Sequence, residues 1–243
     1  MALFTDGPAS TMEDLIAQDS QLMNVASAEG IDVTVKLALN HEAIGLELEE
    51  LLARSNNFGL SQVVVTPALR LWHTYRTLEF VYRDAYNSQL NDRYAGKRDQ
   101  FRELSQWAHN RLMQGGIGVV TDPVPQATGF QTQPGVGTMP PGVYYVSAAW
   151  VNAAGEEGAC SRPIDLEAPD GAFAVYPPAA PDGATGWNVY AGTAPETMTR
   201  QNDSALNPGA PWLPETLTTS GARPGRGQQP NRMQAIPRVL QRG

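Results

Sequence analysis

Three histidines, one cysteine and a run of carboxylates are the residues of this 243-residue chain whose types suit chemistry. His41-Glu42-Ala43-Ile44-Gly45 opens like the helical zinc motif H-E-x-x-H, in which two imidazoles one turn apart grip the metal and the Glu serves as base. Gly45 stands where the second imidazole is needed, so the segment reads as a helix-face histidine beside a solvated carboxylate. His73 and His109 each lie close to a tryptophan and read as partly buried, hydrogen-bonded histidines rather than proton-transfer groups. Gly116-Ile117-Gly118 and Gly135-Val136-Gly137 lack the third glycine and the following helix of a dinucleotide loop, and no G-x-x-x-x-G-K-[ST] phosphate loop occurs. They read as a helix stop and a flexible linker. No G-x-S-x-G elbow exists, and Cys160 falls in a β-rich segment without a nearby His, so nucleophilic catalysis lacks its parts. Glu47, Glu49 and Glu50 cluster on one predicted helix and read as a solvated face. The expectation is a protein that is not an enzyme and carries no cofactor and no metal.

Composition narrows the class. Hydrophobic residues make up 42% and charged residues 17%, enough for a sizeable core and against global disorder. Seventeen Lys and Arg against 25 Asp and Glu give a net charge of −8, which argues against a general nucleic-acid binder whose affinity would come from phosphate neutralisation. A single cysteine closes no intramolecular disulfide and excludes a cysteine-based zinc site. No run of 18 apolar residues and no basic, apolar leader at the amino terminus is present, so a soluble protein with no membrane partner is expected.

The elements divide near residue 120. Three prolines precede Pro125 and the other 16 of 19 run from Pro125 onward, so helices belong to the first half and strands and turns to the second. Residues 126–220 carry two Arg and nine acids, whereas residues 221–243 carry five Arg and no acid. The reading is a helical part over 1–120, a linker over 121–140, a β part over 141–220 and an extended basic tail over 221–243. Ser10 and Glu13 have capping-box spacing, and one helix follows to a stop at Gly30. Asp32 caps a second helix ending near Arg54, and Thr66-Pro67 starts a long third one carrying Leu71, Tyr75, Leu78, Tyr82, Tyr86 and Leu90. A fourth spans about 97–113 before Gly115-Gly116. Four such helices predict an antiparallel helical bundle. From Gly142 the period becomes two, with strands expected at 143–151, 161–166, 172–176, 187–190 and 212–219, separated by turns such as Pro169-Asp170-Gly171. Such spacing favours a small all-β sandwich.

The tail stands apart. Residues 221–231 are rich in Gly and Pro and are expected to be extended. Beyond them Met233, Ile236, Val239 and Leu240 alternate with Arg232, Arg238 and Arg242. Ordering about ten residues costs roughly 10–20 kcal/mol; four buried apolar side chains return roughly 6–12, and arginine hydrogen bonds of about 1.5–3 kcal/mol each close the gap. The segment therefore reads as one that folds on an acidic partner.

Two resemblances extend this reading. Tyr144-Tyr145-Val146, the turn Asn152-Ala153-Ala154-Gly155-Glu156, and Gly183-Ala184-Thr185-Gly186-Trp187-Asn188-Val189-Tyr190 resemble bacterial fibronectin type III modules, which implies a fibronectin- or immunoglobulin-like sandwich. Thr66-Pro67-Ala68-Leu69-Arg70-Leu71-Trp72-His73-Thr74-Tyr75-Arg76, then Val81-Tyr82-Arg83-Asp84-Ala85-Tyr86-Asn87 and Asn91-Asp92-Arg93-Tyr94, resemble tailed-phage head-to-tail adaptor (head completion, tail accessory) proteins. That resemblance implies a structural virion protein at the neck, assembled in the host cytoplasm. It implies a homo-oligomeric ring, commonly of twelve copies, that meets the portal protein and tail or nozzle proteins while DNA passes without specific binding. Under it Arg70, Arg76, Arg83, Glu47 and Glu50 become candidate contacts between subunits. Arg232, Met233, Ile236, Arg238, Val239 and Leu240 become candidate portal contacts. The competing reading is a surface or carbohydrate-binding accessory protein whose β module stacks sugars on exposed Trp150, Trp187 or Trp212.

Overall fold

The computed structural model describes residues 1–54, 58–89 and 92–236. It is an α+β protein: five α-helices come first and antiparallel strands follow. The helices are α1 (Met12–Gln18), α2 (Leu22–Glu29), α3 (Val33–Ala53), α4 (Pro67–Gln89) and α5 (Ala95–Gly115). The strands are β1 (Ile117–Val119), β2 (Gln131–Val136), β3 (Gly142–Asn152), β4 (Ile164–Ala168), β5 (Gly171–Tyr176), β6 (Ala184–Gly192), β7 (Thr199–Arg200) and β8 (Arg232–Gln234). The chain forms two compact units, one of Gly7–Val120 with the segment from Pro230 onward, the other of Met1–Asp6 with Thr121–Gln229.

In the helical unit, Asp32 caps α3 by accepting from the amides of Thr34 (2.8 Å) and Val35 (3.2 Å), and Gly30 ends α2 in the left-handed conformation. Thr66 Oγ1 accepts from Leu69 N at 3.3 Å where α4 starts. The expected first helix is in fact two. Asp19 leaves helical geometry because its carboxylate is drawn inward, accepting from Tyr82 Oη at 2.6 Å and Lys97 Nζ at 3.1 Å. The capping box is Thr11 with Asp14, not Ser10 with Glu13, because the Ser10 hydroxyl is held elsewhere (below). Leu15, Leu22, Leu37, Leu78, Val81, Tyr82 and Phe101 form the core these helices share. Leu90, expected on the apolar face of α4, lies outside the described residues.

The second unit holds a four-stranded antiparallel sheet in the order β4-β3-β6-β7 and a two-stranded pair β2-β5. Side chains of β3, β4, β5 and β6 share one core, joined by Phe130 just before β2, whose ring lies 5.2 Å from Trp187 and 5.5 Å from Trp150. Three differences from the sequence reading occur here. Residues 131–136, expected within a linker, form β2 and pair in register with β5. The expected strand over 212–219 reduces to a single bridge between Trp212 and Val175, because Pro211 and Pro214 remove the flanking donors. Residues 1–6 join this unit, with the Asp6 carboxylate accepting from Gln126 N at 2.8 Å.

The tail also differs. Residues 221–229 belong to the strand-rich unit, while β8 pairs antiparallel with β1, Val119 opposite Arg232 and Ile117 opposite Gln234. Glycine makes that approach possible: a Cβ on Gly116 would lie 2.7 Å from Gln234 O, and Gly116 has φ +87°.

Candidate functional site

Helix α4 carries a stripe of alternating aromatic and cationic side chains, Trp72, Arg76, Phe80 and Arg83, at spacings of four, four and three. That spacing keeps them on one side of the helix. Stacking fixes their order: the Arg76 guanidinium lies 5.4 Å from the Trp72 ring and 5.8 Å from Phe80, and Arg83 lies 4.5 Å from Phe80. Glu47 of α3 reaches Arg76 at 2.5 Å, and His109 of α5 packs on Trp72 with ring centroids 4.9 Å apart. An open cleft of about 370 Å³ results, lined by Glu47, Trp72, Arg76, Gln106, His109 and Asn110. Burial lowers the proton affinity of His109 below the ordinary imidazole range, with Arg76 adding to the effect and Glu47 opposing it.

Beneath the stripe lies a buried polar network. Ser10 Oγ and His73 Nδ1 are 2.7 Å apart, and Asn40 Nδ2 donates to His73 O at 2.9 Å and to Thr77 Oγ1 at 2.8 Å. Burial first, then the neighbouring His41 and Arg76, lowers the pKa of His73 to about 3, so its ring is neutral at physiological pH. Its hydrogen bonds tie the segment before α1 and helix α3 to α4. Sequence reasoning missed Asn40 and read Ser10 only as a helix cap. The available signal was a single polar residue in the inward register of α3, between Leu37 and Ile44.

Among the described residues no group of three His, Cys, Asp or Glu side chains is gathered to hold a metal, and no helix is long and apolar enough to cross a membrane. The Cys160 thiol is pushed up to about 11, mostly by burial and further by Glu157, so it is protonated at neutral pH. Glu157 itself accepts from Tyr190 Oη at 2.7 Å and from the Asn188 amide.

The fold brings one pair of the expected contact residues together and leaves the others apart. Glu47 and Arg76 bind each other within one chain, and Glu50 pairs with Arg54 one turn along α3. Arg83 is exposed and Arg70 half-exposed on α4. In the tail Arg232 is exposed with its guanidinium 5.9 Å from the Phe58 ring, Met233 is exposed and Ile236 is half-buried. Arg238, Val239 and Leu240 lie outside the described residues. The sugar-stacking expectation is corrected: Trp150, Trp187 and Trp212 are only 2%, 0% and 9% exposed, because they fill the core between the strands.

What the helical surface offers is recognition: stacked guanidinium groups, exposed apolar side chains and an open cleft, the groups enriched where proteins meet. Comparison with protein-family models finds no match, and comparison with curated proteins finds none.

Proposed function

We propose that this chain is a structural component of a tailed-phage particle, a head-to-tail adaptor that works as a homo-oligomeric ring between the portal and the tail and performs no chemistry. The reading takes the first unit as an antiparallel helical bundle that builds the ring wall. It takes the strand-rich unit as a fibronectin-like sandwich that decorates it. The observation that carries it is the Trp72-Arg76-Phe80-Arg83 stripe, in which guanidinium groups stack on aromatic rings within the very segment resembling adaptor proteins, the side-chain chemistry enriched where protein surfaces meet. The net charge of −8 is in keeping with a ring through which DNA slides without being gripped. A common core for the two sheets supports the sandwich assignment.

The tail is assigned to the portal, with Met233 and Ile236 as the described apolar contacts and Arg238, Val239 and Leu240 beyond them. Native mass spectrometry and electron microscopy of the chain mixed with portal protein test the reading. The expected result is a ring seated on the portal; a chain that remains monomeric beside the portal overturns it. Met233→Asp is expected to leave the helical unit folded, since Met233 is exposed, and to weaken portal capture at least tenfold in a pull-down.

A further inference from the structure

Helix α3 has two apolar sides. Val33, Leu37, Ile44, Leu48 and Leu52 enter the core. On the opposite side Val35 and Leu39 are each 49% exposed and Leu46 is 69% exposed. Val35, Leu39 and Leu46 are spaced by four and seven, so they form one straight stripe about 17 Å long. A helix that lies on the surface of a finished molecule presents polar residues opposite its core face; α3 presents leucines there. Acids edge the stripe. Glu42, Glu49 and Glu50 are exposed beside it, and no ion pair engages Glu42 or Glu49 among the described residues.

A complementary surface lies on α5. Trp107 is 46% exposed, on the side of the helix away from the buried Ser105, Ala108 and Leu112, and the Arg111 guanidinium lies 5.7 Å from its ring. Arg111 meets no carboxylate among the described residues. One chain thus carries an apolar stripe edged by acids and an aromatic anchor edged by a cation, on two different helices.

We infer that the α3 stripe of one copy docks on the Trp107–Arg111 surface of α5 in the next copy, Leu39 and Leu46 packing on the indole while Glu42 or Glu49 pairs with Arg111. Two unlike surfaces joined in this way make a heterologous contact, which adds copies head to tail and closes into a ring when the rotation permits. This deepens the ring reading above and rests on it. It also moves the subunit contact away from Glu47 and Arg76, which already satisfy each other within one chain. The apolar part of the contact is smaller than the roughly 800 Å² per partner of a stable interface, so free copies associate weakly.

The test uses the full chain carrying Cys160→Ala. Ala38→Cys and Gln114→Cys chains, which border the two surfaces and leave Leu39, Leu46, Trp107 and Arg111 in place, are mixed and treated with a short bismaleimide; Ala38→Cys mixed with Val136→Cys, on the other unit, is the control. The expected result is an Ala38–Gln114 cross-linked dimer at least fivefold above the control, and a ladder when both cysteines sit on one chain. Sedimentation of Leu46→Glu is expected to show at least tenfold weaker self-association, with Leu213→Glu unchanged. Cross-linking no better than the control overturns the assignment, as does self-association that Leu46→Glu leaves intact. If portal-seated rings still form in either case, the adaptor reading stands and only the contact surface is wrong.

Discussion

His73 is fully buried, and its ring is hydrogen-bonded to the Ser10 hydroxyl at 2.7 Å. In the unfolded chain an imidazole takes up its proton near 6.5, in the fold only near 3. Between those values the unfolded state binds more protons, so the contribution of His73 is complete above pH 6.5 and shrinks as pH falls toward 3. From pH 7 to pH 5 the expected loss is about 2 kcal/mol, measurable by urea unfolding at the two values. A His73→Gln chain is expected to be less stable at pH 7 but to lose most of that slope; an unchanged slope would assign it to other groups. Asp19 works in the opposite window. Burial alone would raise its carboxyl, but the Tyr82 hydroxyl, the Gln21 amide and Lys97 together outweigh burial and hold it below the ordinary carboxylate range. Its contribution is therefore complete above about pH 4 and fades below. Asp19→Asn is expected to cost about 1.5–3 kcal/mol at pH 7 by chemical denaturation, the worth of hydrogen bonds to a charged acceptor. Local pairings of this kind were legible where sequence neighbours make them: Asp32 caps α3 as its spacing predicts. Ser10 and Thr11 offered two overlapping capping frames, and the choice between them depends on His73, 63 residues away.

Helices α3, α4 and α5 could be read directly because their apolar residues recur at 3.6 and one end of each is marked, by Asp32, Thr66 and Gly116 respectively. The break between α1 and α2 could not, since Tyr82 and Lys97, which draw Asp19 inward, are distant in the chain. Strand β2 was hidden for another reason. All but one of its residues are exposed and Pro134 interrupts it, so no alternation marks the sequence; only the pairing with β5 orders it. The pairing of β8 with β1 was hidden in the same way, and the glycines beside it explain why the strand fits. Gly116 ends α5 at φ +87° and ψ 169°, a conformation that side chains resist, with the Gln234 carbonyl where a Cβ would go. Gly116→Ala is expected to cost about 1–3 kcal/mol. Hydrogen exchange is expected to show lost protection at 231–234 and at the end of α5, with the amides of α3 unchanged. Protection retained at 231–234 would show that β8 does not depend on this glycine.

At the scale of the molecule, the chain leaves the helical unit after Val120 and returns to it at Pro230, and the two passages are neighbours: Asn231 N donates to Val119 O at 3.0 Å. The strand-rich unit is therefore an insertion at the tip of a β1–β8 hairpin rather than a module strung after a linker. Within that unit Gln228 closes the insertion. Its side chain accepts from Val124 N at 2.6 Å and donates to Asp122 O and Glu156 Oε2, both at 2.9 Å, binding the first residues of the insertion to the last. A division between 120 and 121 was legible from proline content, but the second crossing was not, because composition reports which segments make strands and not where the chain goes next. The insertion reading makes a strong demand. A chain in which residues 1–6 are removed and 121–230 are replaced by an Asn-Gly turn is expected to fold, because Val120 and Asn231 face each other in the β1–β8 register and such a turn closes a two-stranded antiparallel hairpin. Its far-ultraviolet circular dichroism is expected to match the helices α1 to α5, and its amides at 117–119 and 231–234 to remain protected. Under the adaptor reading it also keeps self-association and portal capture, since every contact assigned to them lies in the helical unit. A shortened chain that folds but no longer captures portal moves the partner surface onto the insertion. One that fails to fold shows that β1 and β8 need the inserted unit to hold their register.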